Sequence, residues 1–530
     1  MVNTRDTSLR KPYFCKLIFF KYPSLYMNLE SDNSIKSLYD YQARDLDAIF
    51  DRINNESDDY NLLYQLPTGG GKTVIFSEIV RRYIEQKKKK VVILTHRIEL
   101  CKQTSKMLDG FHVKNKIINS KVKELSDQKE FGCFVAMVET LNNRIQDDQL
   151  QLDDIGLVII DEAHYNSFRK LFKYFDHCFM LGVTATPLSS NFKLPMKDNY
   201  KELLVGDSIT ALVEQGYLAQ AVTHTYDVGL SGLTIGMNGD YTVKSSEKLY
   251  TNVSMQDKLL QSYNDVCRGR KTLIFNNGIR TSIEVEETFK RAGLEIRHLD
   301  NTNTKEERKA ILKWFKNKPD AILTSVSILT TGFDEPSVEC IILNRATKSL
   351  TLYYQMIGRG SRVYKDRKEF QVIDLGNNVA RFGLWNEPVD WQQVFRSPDF
   401  YVENIVSDEE IERNFVYRMP VDVKAEFPNT KDFTFDIRGA YNLALKENRK
   451  SKEVLDESMA QHLQWCVENS EDVFDARILA KLLKDDIKDR IRRYSYCIIN
   501  NTNNYKDWLE EDYYRRLRMA IQQEFAGVEN

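Results

Sequence analysis

The sequence predicts an α/β fold, with two tandem parallel-sheet domains followed by a mainly helical C-terminal domain. Three observations predict it. From Leu38 to about residue 205, short continuous apolar runs alternate with helical stretches. The same pattern restarts near Lys271. Beyond about residue 400 the strand signals stop, while charged amphipathic stretches continue. An unbroken apolar run is what a strand needs when helices cover its sheet on both faces.

In the first domain, 38–205, strands are expected at Leu62–Leu66, Val91–Thr95, Phe134–Val138, Leu157–Ile160 and Met180–Val183. A helix is expected through Thr73–Glu85, and the run Lys87–Lys90 reads as a solvated loop. Residues 206–260 read as a linker or insertion, because Gly229, Gly232, Gly236 and Gly239 suggest turns and short irregular structure. In the second domain, 261–395, strands are expected at Thr272–Phe275, Ile296–Leu299, Ala321–Thr324, Cys340–Leu343 and Phe370–Ile373. Helices at Thr281–Ala292 and Lys305–Lys316 separate them. In the third domain, 396–530, Ala476–Tyr494 and Trp508–Phe525 carry a helical apolar period. Residues 1–37 read as an N-terminal extension, with either a true start at Met27 or residues 1–26 loosely attached. Lys16 and Lys21 interrupt its apolar run and no clear small-residue cleavage site follows, a poor fit to a signal peptide.

Hydrophobic residues make up 42% of the chain, too many for a disordered protein. Net charge is −2, so contact with a polyanion has to come from a local groove. The eight cysteines form no CxxC pair, so no zinc is expected, and they read as reduced core residues. No apolar run approaches the ~20 residues that span a bilayer. These features set the expectation of a cytoplasmic protein without a membrane partner.

Pro67-Thr68-Gly69-Gly70-Gly71-Lys72-Thr73 follows a strand and opens a helix. Glycines there let backbone N–H groups converge on an anion, and the helix N-terminus adds positive potential. Lys72 can reach β- and γ-phosphates, and the Thr73 hydroxyl can hold Mg²⁺. Leu66 stands where the usual phosphate-loop pattern has its first glycine. Leu157–Ile160 then runs into Asp161-Glu162-Ala163-His164, an apolar strand ending in two carboxylates. Strand ends are where open parallel sheets bind ligands. Asp161 is placed for Mg²⁺, and Glu162 to orient and deprotonate an attacking water. Arg359 and Arg362, at i and i+3, can share a helical face and neutralise charge on a transferring phosphoryl group.

Taken together, these motifs resemble those of the superfamily 2 helicases, DEAH-type in motif II, over roughly residues 38–375. Tyr41-Gln42 resembles the adenine-reading Q-like motif. Residues 67–73 are similar to motif I, Thr95-His96-Arg97 to motif Ia, and Val138-Glu139-Thr140-Leu141 to a later strand-contacting motif. Asp161–His164 matches motif II, Thr184-Ala185-Thr186-Pro187 motif III, and Leu273-Ile274-Phe275 resembles motif IV. Thr330–Asp334 matches motif V and Gln355–Arg362 motif VI. Within the superfamily the likeness is to bacterial RadD-like helicases, grouped with XPB/Ssl2 proteins and type III restriction subunits. It rests on Leu329–Pro336, Gly239-Asp240-Tyr241 and Ser349–Gln355. Two departures are the missing cysteine-rich zinc element and Tyr39, where the family often has Arg.

The resemblance implies two RecA-like P-loop NTPase domains with ATP and Mg²⁺ between them. It implies nucleotide contacts by Gln42, Thr68, Gly69, Gly70, Gly71, Lys72, Thr73, Gly332 and Asp334, and metal contacts by Thr73 and Asp161. Catalytic roles fall to Glu162, Lys72, Arg359 and Arg362, and coupling roles to His164, Thr184, Thr186 and Gln355. Nucleic-acid phosphates would meet Thr95, Arg97, Thr140, Thr324 and Thr331. The expected function is an ATP-dependent DNA helicase or translocase, with a role in DNA repair among its expected uses. Alternatives are an RNA-dependent ATPase or RNA helicase, the motor subunit of a restriction or defence system, and a clamp that binds ATP without turning it over. DEAH rather than DEAD, TAT rather than SAT, and the restriction-like motif V favour DNA. The C-terminal arginines 490, 492, 493, 515, 516 and 518 lie among tyrosines and could hold a strand. Equally dense acidic residues favour a solvated helical bundle instead.

Overall fold

The structure is a computed structural model that describes residues 37–120, 122, 127–147, 150–191, 193–326, 328, 329, 333–414, 418–498 and 503–528. The proposed extension, apart from Ser37, and residues Thr331 and Gly332 lie outside these.

Among the described residues, thirteen strands form two sheets. The first seven are β1 (Asn61–Gln65), β2 (Lys90–Thr95), β3 (Asn115–Ile118), β4 (Cys133–Met137), β5 (Ile155–Asp161), β6 (Phe179–Thr184) and β7 (Glu202–Val205). They pair in the order β3-β4-β2-β5-β6-β1-β7, every ladder parallel. Every residue of β5 and β6 is buried, the expected consequence of helices on both faces. Register fixes the strand ends: Gln65 lies beside Thr184, and Asp161 beside Val183. The C-terminal ends of β5, β6 and β1 are therefore neighbours, which brings three distant motifs to one edge.

The second sheet holds β8 (Gln220–Thr225), β9 (Thr272–Asn276), β10 (Ile296–Leu299), β11 (Ile322–Ser325), β12 (Cys340–Asn344) and β13 (Glu369–Asp374). Their order is β10-β11-β9-β12-β13-β8, again all parallel. β8 falls inside the stretch read as a linker. It lacks a continuous apolar run because it is an edge strand, with only Ala221 buried. Most of the remaining stretch is ordered as well: helices Val243–Tyr250 and Val253–Val266 pack near helix Ile279–Arg291 of the second domain.

The two domains are held against each other at several points. After β13 the chain returns to the first domain. Gln392 donates to the Leu203 carbonyl of β7 at 2.8 Å, and Lys197 to the Arg396 carbonyl at 2.9 Å. This covers an edge strand that would otherwise offer unpaired backbone groups.

Among the described residues after 400, every regular element is a helix. Trp465, Leu483, Ile487, Ile491, Leu517 and Ile521 are among those forming its own apolar core. The predicted helix at Ala476–Tyr494 is two helices, Val473–Leu482 and Lys484–Ser495, which meet at buried Leu483. Its arginines are largely spent on carboxylates. Arg490 pairs with Asp486, Arg492 with Asp489 and Glu412, Arg515 with Asp512, and Arg516 with Asp456. This is the bundle reading rather than the strand-binding one. The cysteines need one correction: Cys267 and Cys340 form a disulfide, with Cα atoms 6.1 Å apart, while five others are free thiols. The two lie 73 positions apart in sequence and meet only because β12 starts beside the end of helix Val253–Val266.

Candidate nucleotide site between two sheets

The phosphate-loop segment leaves β1 and turns into helix Lys72–Lys87. Gly71 has φ of +84°, a left-handed conformation that favours glycine. A Cβ there would lie 2.5 Å from Gln42 Nε2, so a larger residue would have to push that amide aside. Tyr41 and Gln42 hold the loop from the side: the Tyr41 hydroxyl donates to the Gly70 carbonyl at 2.7 Å, with Gln42 Nε2 at 3.4 Å. Tyr39 packs beside Tyr217 with ring centroids 4.5 Å apart, which places an aromatic pair next to this loop. Lys72 Nζ donates to the Leu66 and Pro67 carbonyls at 3.0 and 3.3 Å. Burial pulls its pKa down, opposed by the charges of Glu162 and Asp161.

At the end of β5, Glu162 has φ of +54°, a strained conformation for a residue with a Cβ. The turn takes the side chain out of the strand alternation. Burial, then the Glu162 charge, raises the Asp161 carboxyl. For Glu162, burial acts in the same direction, but His164, Lys72 and Arg359 outweigh it and hold it below the usual carboxylate range. His164 Nδ1 lies 3.4 Å from Glu162 Oε2 and 3.1 Å from the Thr184 hydroxyl. The Thr184 hydroxyl donates to the Thr186 carbonyl at 3.0 Å. The Thr186 hydroxyl in turn donates across the domain boundary to Thr351 at 2.8 Å.

The second domain brings helix Leu350–Ile357 and the turn after it to the same place. A Cβ on Gly358 would lie 2.7 Å from Thr68 Cβ, so the two segments touch at backbone distance. Arg359 is partly buried and donates to the Phe333 carbonyl at 2.6 Å. Burial, then the neighbouring charge of Arg362, lowers its pKa to about 10, and Glu162 opposes the fall. Arg362 pairs with Asp334 at 2.6 Å. Glu162 Oε2, His164 Nε2 and Gln355 Nε2 are buried without a hydrogen-bond partner among the described residues. A carboxylate, imidazole and amide left open, with Lys72 and two arginines beside them, suit an oxygen-rich anion and a water. Thr73 and Asp161 are the oxygen donors that could hold Mg²⁺ there.

Two of the predicted strand-binding hydroxyls are turned inward. Thr95 is fully buried and donates to the Arg97 carbonyl at 3.2 Å. Thr324 is fully buried between Asn276 and Ser282, at 2.8 and 2.9 Å. Residues at the last positions of central strands serve the sheet before they serve a ligand. Arg97 and Thr140 stay partly exposed. They follow the adjacent strands β2 and β4, on the same sheet edge as the phosphate loop. Sequence reasoning missed His96 and Tyr165. Their rings lie 4.3 Å apart, and Tyr165 packs equally close on His164. The signal that could have found His96 is its place between Thr95 and Arg97. Burial lowers its pKa to about 4, so it is neutral.

A phosphate loop and paired carboxylates on one parallel sheet, faced by arginines from a second, define a class of ATP-dependent motor proteins. Residues 35–189 match the family described as type III restriction enzyme, res subunit. Residues 254–364 match the helicase conserved C-terminal domain. The chain belongs to the superfamily 2 helicases. It is similar to a 51.5 kDa protein of a Lactococcus phage, 29% identical over 63% of this chain and 69% of that one. It is also similar to IRC3 of Saccharomyces cerevisiae, a candidate ATP-dependent helicase, at 27% identity over 64% of this chain. A third relative is the EcoAI type I restriction endonuclease subunit of Escherichia coli, 25% identical over 64% of this chain. The matched region spans 51% of the yeast protein and 46% of the restriction subunit. The fold is that of a fragment of a candidate HsdR subunit from Vibrio vulnificus (TM-score 0.51, 20% identity, 68% of this chain and 66% of that one).

Proposed function

We propose that this protein is an ATP-dependent DNA helicase or translocase that hydrolyses ATP in the cleft between its two sheet domains. The observation that carries the reading is the convergence on one cleft of Lys72, Asp161 and Glu162 from the first domain with Arg359 from the second. Lys72 holds the β- and γ-phosphates, and the arginines neutralise charge that develops as the γ-phosphoryl group transfers. Glu162, ionised at neutral pH, orients the water and accepts its proton. Thr73 and Asp161 would hold Mg²⁺, which would supply further charge stabilisation. The hydroxyl relay Thr184–Thr186–Thr351 links Glu162's neighbour His164 to the second domain. β5 and β6 lie between the phosphate-loop strand and the strands carrying Arg97 and Thr140. A strand of nucleic acid crossing that edge would meet Arg97 and Thr140 without sequence reading. Hydrolysis that reopens the cleft would then shift one domain along it. The DEAH and TAT forms of motifs II and III support DNA over RNA.

The test is ATP hydrolysis measured with single-stranded DNA, duplex DNA, forks and RNA. Stimulation by DNA is expected. Lys72→Ala and Glu162→Gln should each lower the stimulated rate by about 10³-fold. Stimulation by RNA alone would overturn the substrate, and unchanged hydrolysis in Glu162→Gln would overturn that residue's role.

A further inference from the structure

The Gly239-Asp240-Tyr241 motif is not part of the cleft, yet it is built into the helix that enters the cleft. It sits on a tight hairpin. Thr242 N donates to the Thr234 carbonyl and Gly236 N to the Asp240 carbonyl, each at 2.8 Å. Gly239, with φ of +79°, makes the turn at its tip. The turn delivers Asp240 onto residues 345–348, which run between β12 and helix Leu350–Ile357. Asp240 Oδ2 accepts from the Thr347 hydroxyl at 2.7 Å and faces Arg345 Nη2 at 3.4 Å. Its Oδ1 accepts from Lys348 N at 2.8 Å and Tyr241 N at 2.9 Å. One carboxylate thus ties down four donors. The same turn is held from behind by Asn378, which accepts from Thr347 N at 3.0 Å and donates to the Arg345 carbonyl at 2.8 Å. Thr347 passes the hold on, because its hydroxyl accepts from Ser349 N at 3.1 Å. Ser349 caps the helix by accepting from Leu352 N. That helix carries Thr351, Gln355 and, at its end, Gly358 and Arg359.

Tyr241 faces the other way, toward the helical domain. Its buried hydroxyl donates to Asp408 Oδ1 and accepts from Arg381 Nη2, both at 2.7 Å. Asp408 also meets Arg381 at 2.6 Å and Lys348 Nζ at 3.3 Å. Lys348 belongs to the very turn that Asp240 holds. Asp408 opens helix Asp408–Asn414, whose Glu412 accepts from Leu230 N and pairs with Arg492 in the terminal bundle. Polar contacts at the two ends of helix Asp408–Asn414 therefore connect the bundle to the turn that starts the arginine-bearing helix.

We propose that Asp240 and Tyr241 are positioning residues for the cleft: they clamp the 345–349 turn and connect it, through Asp408, to the C-terminal helical domain. The state of that domain then sets where Arg359 stands. The inference rests on the proposed ATPase cleft. A misplacement of about 1 Å in catalytic groups can cost about 10²-fold in rate. A carboxylate that fixes the start of the helix controls displacement of that order.

The experiment uses the full chain and two readouts. Asp240→Ala should lower kcat for nucleic-acid-stimulated ATP hydrolysis about tenfold or more, with KM for ATP changed by less than about threefold. Asp240→Asn, which keeps the shape and part of the hydrogen bonding, should lose less, and Asp408→Asn should fall in the same direction. In an Arg359→Ala background, Asp240→Ala should cost less than about twofold further, because its effect acts through that arginine. Hydrogen exchange of residues 345–357 should quicken in Asp240→Ala and in Asp408→Asn. An equal loss in both backgrounds, an intact kcat, or a rise in KM alone would overturn the positioning role. So would unchanged exchange in Asp408→Asn. Exchange needs no turnover, so an unmodified protein without ATPase activity would overturn the cleft reading while exchange still decided the clamp.

Discussion

Gly358→Ala separates closure of the cleft from stability of the fold. Gly358 has φ −59° and ψ −11°, a backbone that alanine adopts without strain. In isolation the change is expected to help, since alanine exceeds glycine in helical conformations by about 1 kcal/mol. The added Cβ would stand 2.7 and 2.8 Å from Thr68 Cβ and Cγ2, and 3.0 Å from the Tyr354 carbonyl. Comfortable carbon–carbon separation is about 3.5–4.0 Å, so the phosphate loop and the Arg359 turn must part by about 1 Å. A side-chain rotation cannot relieve a contact between two Cβ atoms. Parting the arginine from the transferring phosphoryl group by that amount should lower kcat about 30- to 100-fold, or about 2–3 kcal/mol. Nucleotide affinity should change only a few-fold, because the loop and its Gln42 support belong to the first domain. Steady-state hydrolysis, equilibrium nucleotide binding and thermal unfolding measured side by side test this. A folded variant with kcat within twofold of the parent would refute the contact as part of the working cycle. A kcat that fell only in step with unfolding would refute it too.

Two further outcomes are expected. Thr186→Val and Thr351→Val each remove one end of the hydroxyl bridge between motif III and the second domain. Each should lower nucleic-acid-stimulated hydrolysis about five- to tenfold, and the double variant should lose no more than either alone, a coupling of about 1 kcal/mol. His462 is fully buried, donates toward Asp486 at 2.7 Å and accepts from Tyr513 at 2.9 Å, which suits a neutral ring. Burial lowers its pKa to about 4, with Asp486 opposing and Arg490 assisting. A histidine depressed in the folded state contributes stability that is complete above its unfolded value of about 6.5 and is lost as pH falls toward 4. Between pH 7 and 5 the loss should be about 2 kcal/mol, visible in unfolding followed by Trp465, whose ring lies 5.1 Å away. His462→Gln should flatten that part of the pH dependence; an unchanged slope would sink the assignment.

The chemistry of the first sheet was legible because it needs fixed residue types at strand ends. Glycines before Lys72, and two carboxylates after an all-apolar strand, serve phosphate and metal chemistry and little else. Edge strands were less legible. β8 is mostly polar, with Ala221 alone buried, and pairs with β13, so its burial depends on a partner 149 positions away. The inward direction of the Thr95 and Thr324 hydroxyls was not legible for a related reason. Motif position says that Thr95 and Thr324 lie at the right edge, but hydroxyl direction is decided by Cys101, Asn276 and Ser282, which are tertiary neighbours. The Cys267–Cys340 pair likewise depends on where a helix ends against a strand.

The order of strands gives a physical reason why a site split in two suits a motor. β4 and β2 lead to Arg97 and Thr140, β5 to Glu162 and His164, β6 to Thr184 and Thr186, and β1 to the phosphate loop. The strands carrying motifs II and III therefore lie between the phosphate loop and the outer strands. Motif III reaches the second domain through the hydrogen bond from Thr186 to Thr351, which enters at the first turn of the helix leading to Arg359. Glu162 Oε2, His164 Nε2 and Gln355 Nε2 sit along this route, each without a hydrogen-bond partner among the described residues, where a buried polar atom so left costs about 1–3 kcal/mol. On the proposed reading, the γ-phosphate and its attacking water would engage these three atoms. A ligand shifts an equilibrium only by its difference in affinity for the two states, and on the proposed reading that difference would fall at the γ-phosphate end of this cleft. On the proposed reading, closure would be tied to the group that hydrolysis removes.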